Sequence, residues 1–496
     1  MSNSEPASDA SPKVLPRVLG LFDATAIVVG SIIGSGIFLK IGNVDKALMA
    51  WGFLPIIATW LFVGVVTLCG SLALAELAAM YPQAGGPYLY LREAYGRLPA
   101  FLWGWTEFWV VRTGSVGALA CATVIYLDEF LQDGSGKSTL GHYGQMLMAV
   151  SIVVGLSIIN IVSTRWGATV QNVATVAKVA FLGMLIGLPL LMGKVQFDNL
   201  NPLWVGSPEV PSEISAADPT VSAPEAPRPA TLFAAFGLAM IAVFWAYDGW
   251  INVAPVAEEI REPQRNIPRA LVLGIAIVAF VYVGANLSYH LVLSMPVIAK
   301  SDRLASDIFR VLFGDSGAKF AALGVLCSTF GAANSNLISG PRIYFAASRD
   351  GLVPSFIRKV HPRFETPANS IFIQGAWTTL LLVVFYLTSH KPKDAFDNIT
   401  DAVICAGLIF YSLAVAAVYV LRTTRPNAER PYRTWGYPFT PALLIGTYVV
   451  ALTEQIRQQA KNIAWVLVLI GVGVIYYLIV ARWQSRQTKV ESSIPV

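Results

Sequence analysis

Charged residues are scarce in this sequence, at 13% of 496 residues, whereas soluble proteins carry about 25%. Hydrophobic residues account for 55% of the chain. This composition excludes an ordinary water-soluble fold and predicts an integral membrane protein. The formal net charge of +5 does not indicate nucleic-acid binding, because the basic residues lie in short loops beside apolar runs.

Cysteine and histidine are also rare, with four of each. The cysteines all fall inside apolar runs, which is typical of packing residues and not of a disulfide framework. The histidines are scattered and form no HExxH motif. Hydrolysis or group transfer needs a nucleophile with a base, or a cluster of metal ligands. We therefore expect no enzyme activity, no metal and no cofactor.

Long apolar runs are what the sequence has in abundance. A helical run of about 18 residues or more crosses roughly 30 Å of hydrocarbon, and twelve runs approach or exceed that length. They cover residues 20–41, 53–80, 100–127, 144–162, 170–192, 231–256, 270–293, 318–347, 369–388, 399–421, 437–453 and 462–482. The sequence therefore predicts an all-α membrane protein with twelve transmembrane helices, numbered here as spans 1 to 12.

Arginine and lysine are concentrated in the loops that lie on the same side of the membrane as the N-terminus, such as residues 258–270 and 422–433. By the positive-inside rule, the two tails, residues 1–19 and 483–496, are expected on the cytoplasmic side of the cell membrane. Between spans 5 and 6, residues 194–229 are rich in Pro, Ser, Ala and Glu and lack helical periodicity. This segment predicts a flexible extracytoplasmic loop.

The same loop divides the first five spans from the next five. Residues 20–421 thus hold ten spans, and residues 422–482 add two more with the loop that precedes them. An odd number of spans gives the two halves opposite topology. Inverted repeats of this kind commonly begin with a helix that is broken near the midplane of the bilayer. Spans 1 and 6 are therefore expected to be interrupted.

Glycine is clustered in the middle of span 1, and an acidic residue lies beside glycine in span 6. Span 1 has Gly30, Gly34 and Gly36, and span 6 has WAYDGW at residues 245–250. Gly30 and Gly34 alone fit a GxxxG helix-packing face. Because glycine costs roughly 1 kcal/mol relative to alanine inside a helix, the additional Gly36 favours local unwinding where a cavity satisfies the freed groups.

An unwound segment leaves backbone N–H and C=O groups without intrahelical partners. N–H groups at the start of a half-helix suit a carboxylate, and the free carbonyl groups suit an ammonium. The two breaks together therefore match the head group of an α-amino acid. The candidate binding residues are Ile32, Ile33, Gly34, Ser35, Gly36, Ile37, Trp245 and Ala246.

Several strings resemble the amino acid, polyamine and organocation carriers, most closely the L-type amino acid transporter branch. They are GSIIGSGIF at 30–38, WAYDGW at 245–250, EEIREPQRNIPRA at 258–270 and GPRIYFAASRDGLVP at 340–354. The resemblance implies a LeuT-like fold, a 5+5 inverted repeat with helices 1 and 6 broken, in which residues 20–421 form the transport core. It also implies alternating access at a site between spans 1, 3, 6, 8 and 10.

The resemblance further implies roles for residues of that site. Backbone N–H groups at Ser35 and Gly36 are expected to bind the substrate carboxylate, and the carbonyls of Ile32 and Trp245 are expected to receive the amine. The ring of Trp245 is expected to close the outward path as a lid. Selectivity for the substrate side chain is expected from Trp245, Gly114 and Ser115.

Lys178 lies in the middle of span 5, roughly 12 Å from either edge at 1.5 Å per residue. A lysine at that depth is costly, so it is expected to face a cavity, carbonyl groups or a partner; the alternative is a packing role without a part in transport. The resemblance implies that it replaces the sodium ion of other carriers. It would then bond carbonyls near Gly34 and the hydroxyl of Ser328 or Thr329.

Asp248 departs from the family pattern, in which a small residue is common. An intramembrane carboxylate predicts a counter-ion for a cationic substrate or a proton carrier, although a pair with Arg112 or a position in water is equally open. Glu107 and Arg112 are five residues apart and do not share a helix face well. Each of these two is therefore expected to find a partner on another helix.

Charged residues cluster where spans 6 and 8 reach the predicted cytoplasmic side. Their alternating signs predict a solvated loop surface, with an inner-gate network of ion pairs as the alternative. The cluster comprises Glu258, Glu259, Arg261, Arg265, Arg349 and Asp350.

The expected function is sodium-independent exchange of neutral L-amino acids. Transport of cationic amino acids or polyamines, with or without proton coupling, stays open because of Asp248. A sensor that binds amino acids without transport also stays open. Animal relatives pair with a heavy subunit through a disulfide in the outer loop after span 3. That loop, residues 128–143, has no cysteine, so the chain is expected to work alone as a monomer.

Overall fold

The computed structural model describes residues 15–132, 138–206, 231–388, 392–458 and 460–491. Most of the predicted outer loop and the ends of both predicted tails lie outside these ranges. Within them, twelve helical stretches are long and apolar enough to cross a membrane. The all-α class and the number of spans are thereby confirmed, while the inverted repeat and the division at residue 421 stay predictions.

The helices of the described residues are numbered in chain order. They are α1 (Leu21–Ile32), α2 (Gly36–Leu39), α3 (Ile41–Leu48), α4 (Phe53–Met80), α5 (Pro87–Tyr95), α6 (Arg97–Thr106), α7 (Arg112–Leu131), α8 (Gly141–Val162), α9 (Thr164–Leu191), α10 (Leu232–Tyr247), α11 (Pro263–Val292), α12 (Met295–Lys300), α13 (Leu304–Arg349), α14 (Ala368–Thr388), α15 (Pro392–Thr424), α16 (Phe439–Gln458) and α17 (Ala460–Glu491). A π-helical turn, Glu107–Val111, joins α6 to α7, and a 3₁₀ helix, Trp250–Glu259, follows α10.

Span 1 consists of two helices with a gap between them. Helix α1 ends at Ile32, Ile33 is extended (φ −73°, ψ 90°), and α2 begins at Gly36. A Cβ atom on Gly36 would lie 2.4 Å from the Cα atom of Ala246. Only glycine therefore lets α2 approach the backbone of α10 this closely.

Span 6 changes conformation at Asp248. Helix α10 ends at Tyr247, Asp248 is extended (φ −64°, ψ 154°), and Gly249 adopts the left-handed region (φ 100°) that favours glycine. A Cβ atom on Gly249 would lie 2.8 Å from the Cβ atom of Ser31. The non-helical segment of span 6 therefore contacts the last turn of α1.

Four longer helices surround these segments. Helix α1 packs against α9, α11 and α13, and α13 packs against α7. Spans 3, 5, 7 and 8 thus supply the side chains that reach the interrupted backbone. This packing determines which residues form the site described next.

Candidate functional site

A cavity of about 20 Å³ lies between the interrupted segments. It has room for about one water molecule, so an amino acid fits only after the surrounding helices separate. Spans 1, 3, 6 and 8 all contribute to its wall. The lining residues are Ser31, Ile32, Gly34, Ser35, Gly36, Ser115, Leu119, Trp245, Asp248, Gly249 and Asn336.

The structure brings together only some of the candidate residues named from the sequence. Gly114 lies outside the lining and faces α15, where an added Cβ atom would lie 3.2 Å from Ile399 and Val403. Sequence reasoning missed Ser31 and Leu119, which have no feature that separates them from packing residues. The candidates outside the lining are Ile33, Ile37, Ala246 and Gly114.

The start of α2 carries backbone donors that the helix does not use. The N–H groups of Phe38 and Leu39 donate to the carbonyl of Ser35 at 3.1 and 2.9 Å. Among the described residues, no backbone acceptor is recorded for the N–H groups of Ser35, Gly36 and Ile37. Ser35 and Gly36 also line the cavity, so they bring backbone donors without a helical partner to its wall.

Tyr282 on α11 links the two interrupted helices. Its hydroxyl lies 3.0 Å from the carbonyl oxygen of Ile32 and 2.8 Å from that of Ala246. The carbonyl of Trp245 accepts a bond of 3.2 Å from the N–H of Asp248. The expected amine acceptors therefore already have partners, although a carbonyl oxygen has two lone pairs and can accept a second bond.

Lys178 on α9 is fully buried and reaches the break in span 1. Its ammonium donates to the carbonyls of Gly30 at 2.9 Å, Ile33 at 2.6 Å and Ser328 at 2.9 Å. An ammonium has three donors, so these three bonds use them all. The side chain therefore joins spans 1, 5 and 8 at one point.

The partners of Lys178 differ in detail from those expected. Ser328 offers its carbonyl to the ammonium, and its hydroxyl instead donates toward the carbonyls of Ile33 at 3.3 Å and Gly34 at 3.2 Å. The hydroxyl of Thr329 bonds within its own helix and to Thr123 at 2.8 Å. Thr329 therefore belongs to the contact between α13 and α7, not to the bonds of the ammonium.

Glu107 and Arg112 pair with each other, so the expectation that each pairs with another helix was wrong for Glu107. The Nε atom of Arg112 lies 2.5 Å from a carboxylate oxygen of Glu107, and both side chains are buried. The reason is the π-helical turn, whose i to i+5 bonding brings residues five apart together. Arg112 also donates to Asn252 and, at 2.9 Å, to Asn336.

Trp245 lies in the last turn of α10, and Asp248 is the first residue after this helix. The carboxylate of Asp248 accepts a bond of 2.9 Å from the hydroxyl of Tyr411 on α15. The indole N–H of Trp245 donates to the hydroxyl of Ser35 at 3.2 Å, and its ring meets that of Phe396 edge-on at 5.9 Å. Trp245 thus closes over the donors of span 1, and Asp248 ties the cavity to span 10.

The sequence of the chain matches known proteins over almost its whole length. The amino acid permease family matches residues 19–489. The chain belongs to this family.

Relatives of the permease come from bacteria and animals. The serine/threonine exchanger SteT of Bacillus subtilis is 31% identical over 441 residues, which are 88% of this chain and 90% of the relative. The human b(0,+)-type amino acid transporter 1 is 29% identical, over 95% and 89% of the two chains. The mouse large neutral amino acids transporter small subunit 2 is 28% identical, over 98% and 87%.

The family match confirms the resemblance to the amino acid, polyamine and organocation carriers and to their L-type branch. The permease is therefore an amino acid carrier of the cell membrane and not an enzyme. Its twelve apolar helices fit that assignment.

Two glutamates of the charged cluster are buried, so the expectation of a solvated loop surface was wrong for them. Glu259 pairs with Arg342 on α13 at 2.8 Å, with both side chains almost fully buried. Glu258 pairs with Arg349 at 2.9 Å and also accepts the N–H of Leu15 at 3.0 Å. The 3₁₀ helix turns both carboxylates inward, whereas Arg261 and Arg265, beyond its end, are exposed.

Proposed function

We propose that this permease exchanges neutral L-amino acids across the cell membrane by alternating access and without sodium. The observation that carries the proposal is the ammonium of Lys178, which is bound by three carbonyl oxygens of spans 1 and 8. In this function, residues 20–421 form the transport core. Both tails lie in the cytoplasm, on the side to which the positive-inside rule assigns the basic loops.

Carbonyl oxygens of an unwound helix are the groups with which carriers of this architecture bind sodium. Here the carbonyls of Gly30, Ile33 and Ser328 already surround a covalently attached cation. A sodium ion placed among the same oxygens would meet the positive charge of Lys178 and lose its ligands. The arrangement thus supports a carrier whose break in span 1 is stabilised without a dissolved ion.

The substrate head group is proposed to bind between the two breaks. The unused N–H groups of Ser35 and Gly36 receive its carboxylate, and the second lone pairs of the Ile32 and Trp245 carbonyls receive its ammonium. Because the cavity holds only about 20 Å³, binding requires that Trp245 move away from Ser35. Trp245 then acts as the lid that separates the site from one side of the membrane.

Exchange is proposed because a relative with 31% identity over 88% of this chain is named a serine/threonine exchanger. A neutral substrate is supported by Asp248, whose carboxylate already accepts the hydroxyl of Tyr411. The second candidate is a carrier of cationic amino acids, since Asp248 also lines the cavity. The absence of cysteine from residues 128–143 supports a chain that works without a disulfide-linked partner.

Counterflow into proteoliposomes tests the proposal. Vesicles loaded with unlabelled serine, alanine, leucine or arginine are supplied with the labelled amino acid in sodium or choline buffer. We expect accumulation of neutral amino acids only in loaded vesicles and equally in both buffers. Uptake that depends on sodium contradicts the proposed role of Lys178, and binding without any counterflow supports a sensor instead.

A further inference from the structure

A second and larger cavity, of about 310 Å³, lies away from the substrate site. Spans 3, 8, 9 and 12 and the loop after α13 form its wall. Aromatic rings dominate that wall. They belong to Phe101, Trp105, Phe108, Trp109, Tyr344 and Tyr476.

Two of the polar ring atoms are engaged elsewhere. The indole N–H of Trp105 donates to the carbonyl of Leu469 at 3.1 Å, and the hydroxyl of Tyr344 lies 3.5 Å from the carbonyl of Glu107. The remaining wall includes Ile357 and Ile373, which are aliphatic. An apolar cavity of this kind does not hold ordered water, so its natural occupant is hydrocarbon.

The position of the cavity in the bundle fits that occupant. Phe101 and Trp109 lie four and twelve residues after Arg97, where span 3 begins, and hence roughly 6 and 18 Å into the span. In a hydrocarbon core about 30 Å thick, that interval runs from within one leaflet to about the midplane. Span 12, which carries Tyr476, is largely exposed on the protein surface, so the cavity borders lipid.

Positive charge follows directly after one residue of the cavity wall. Ile357 lines it, and the next two residues, Arg358 and Lys359, are exposed. No ion pair is recorded for either residue within the described part of the chain. Two surface cations adjacent in sequence to a residue of an apolar wall match a phosphate group on a hydrocarbon chain.

We propose that this cavity binds one anionic glycerophospholipid, with an acyl chain between the aromatic rings and the phosphate against Arg358 and Lys359. The acyl chain contacts Phe108 and Trp109, which lie in the π-helical turn. That turn holds the buried pair of Glu107 and Arg112. The lipid thus stabilises the part of span 3 from which Arg112 reaches spans 6 and 8.

Native mass spectrometry of the full chain tests this binding. The purified, delipidated permease is incubated with equal amounts of phosphatidylglycerol and phosphatidylcholine that carry the same acyl chains. We expect retention of one phosphatidylglycerol per chain in preference to phosphatidylcholine. Equal retention of the two lipids overturns the proposal without the need for any variant.

Two variants, each with a control, test the binding of the acyl chain and the binding of the head group separately. Val353→Phe fills the cavity and is expected to abolish the retained lipid, whereas Ala376→Phe, on the exposed side of α14, leaves it unchanged. Arg358→Gln with Lys359→Gln is expected to lower the preference for phosphatidylglycerol roughly 10- to 30-fold, because each surface cation contributes about a fivefold gain. The control for charge is Arg363→Gln with Arg433→Gln, which removes two exposed cations elsewhere.

The proposal is overturned if phosphatidylglycerol stays bound to the Val353→Phe chain that elutes as a folded monomer. It is equally overturned if the two charge variants lose the preference to the same extent, since binding then follows net charge and not this site. Neither result depends on the counterflow of amino acids.

Discussion

The ammonium of Lys178 lies 2.6 Å from the carbonyl of Ile33, the residue at which the first helix stops being helical. Ile33 is fully buried, and its carbonyl is released from the helix because α1 ends at Ile32. A buried carbonyl without a donor costs about 1–3 kcal/mol. Lys178 therefore stabilises the break itself.

Lys178→Ala is expected to lower counterflow of neutral amino acids at least about tenfold, since it removes three buried hydrogen bonds from a charged donor, worth about 1.5–3 kcal/mol each. Added sodium is expected to restore part of the activity, because the same oxygens can then bind the ion. Lys319→Ala, an exposed lysine on α13, is the matched control. Full exchange by Lys178→Ala in choline buffer contradicts the proposed role.

Tyr282→Phe removes the hydroxyl that contacts the carbonyls of Ile32 and Ala246. A lost hydrogen bond of about 1 kcal/mol corresponds to roughly a fivefold change, and we expect the KM of counterflow to rise by about that factor. Tyr143→Phe, at an exposed tyrosine, serves as the comparison. An unchanged KM with unchanged exchange rate contradicts a role for Tyr282 in joining the two breaks.

Asp248→Asn keeps an oxygen that accepts the hydroxyl of Tyr411 but removes the negative charge. Because the hydrogen bond survives, we expect counterflow of alanine and leucine to stay within about threefold of the unmodified chain. Counterflow with labelled alanine, leucine and arginine measures this directly. Loss of arginine uptake with normal alanine uptake favours the cationic candidate.

Gly36→Ala is expected to abolish exchange, since the new Cβ atom would lie 2.4 Å from the Cα atom of Ala246. The backbone of Ala246 cannot move aside as a flexible side chain can. Helices α2 and α10 therefore have to separate to accommodate the new Cβ atom. Gly187→Ala on α9 meets no atom within 4 Å and is expected to be neutral or slightly stabilising, as alanine is in a helix. Equal activity of the two variants argues against the close approach.

Glu107→Gln leaves the cation of Arg112 buried without its counter-charge. Breaking a buried pair in this way costs about 3–5 kcal/mol, so we expect a clearly lower midpoint of thermal unfolding in detergent. Arg310→Gln breaks an exposed pair with Asp307, which is worth about 0–1 kcal/mol. Similar midpoints for the two variants are inconsistent with the buried pair.

Much of the architecture could be predicted because hydrophobic length is a strong signal. The twelve apolar runs indicate the spans, and the glycine cluster around Gly36 points to the place where α1 and α2 separate. Lys178 was identifiable because a lysine in the middle of an apolar run has few explanations. Each of these features is local in the sequence.

The missed features depend on three-dimensional geometry that no local pattern encodes. Glu107 and Arg112 meet only because one turn of span 3 is π-helical, and nothing in the sequence marks that turn. Tyr282 looks like any aromatic residue of an apolar run, yet its hydroxyl faces two backbone oxygens. For Ser328, the sequence indicated the position but not that the carbonyl, rather than the hydroxyl, faces Lys178.

The glycine contacts between spans 1 and 6 are reciprocal, with Gly36 seated on Ala246 and Gly249 seated on Ser31. Neither contact has space for an added methyl group. The backbones of spans 1 and 6 therefore cannot slide past each other without breaking both contacts at once.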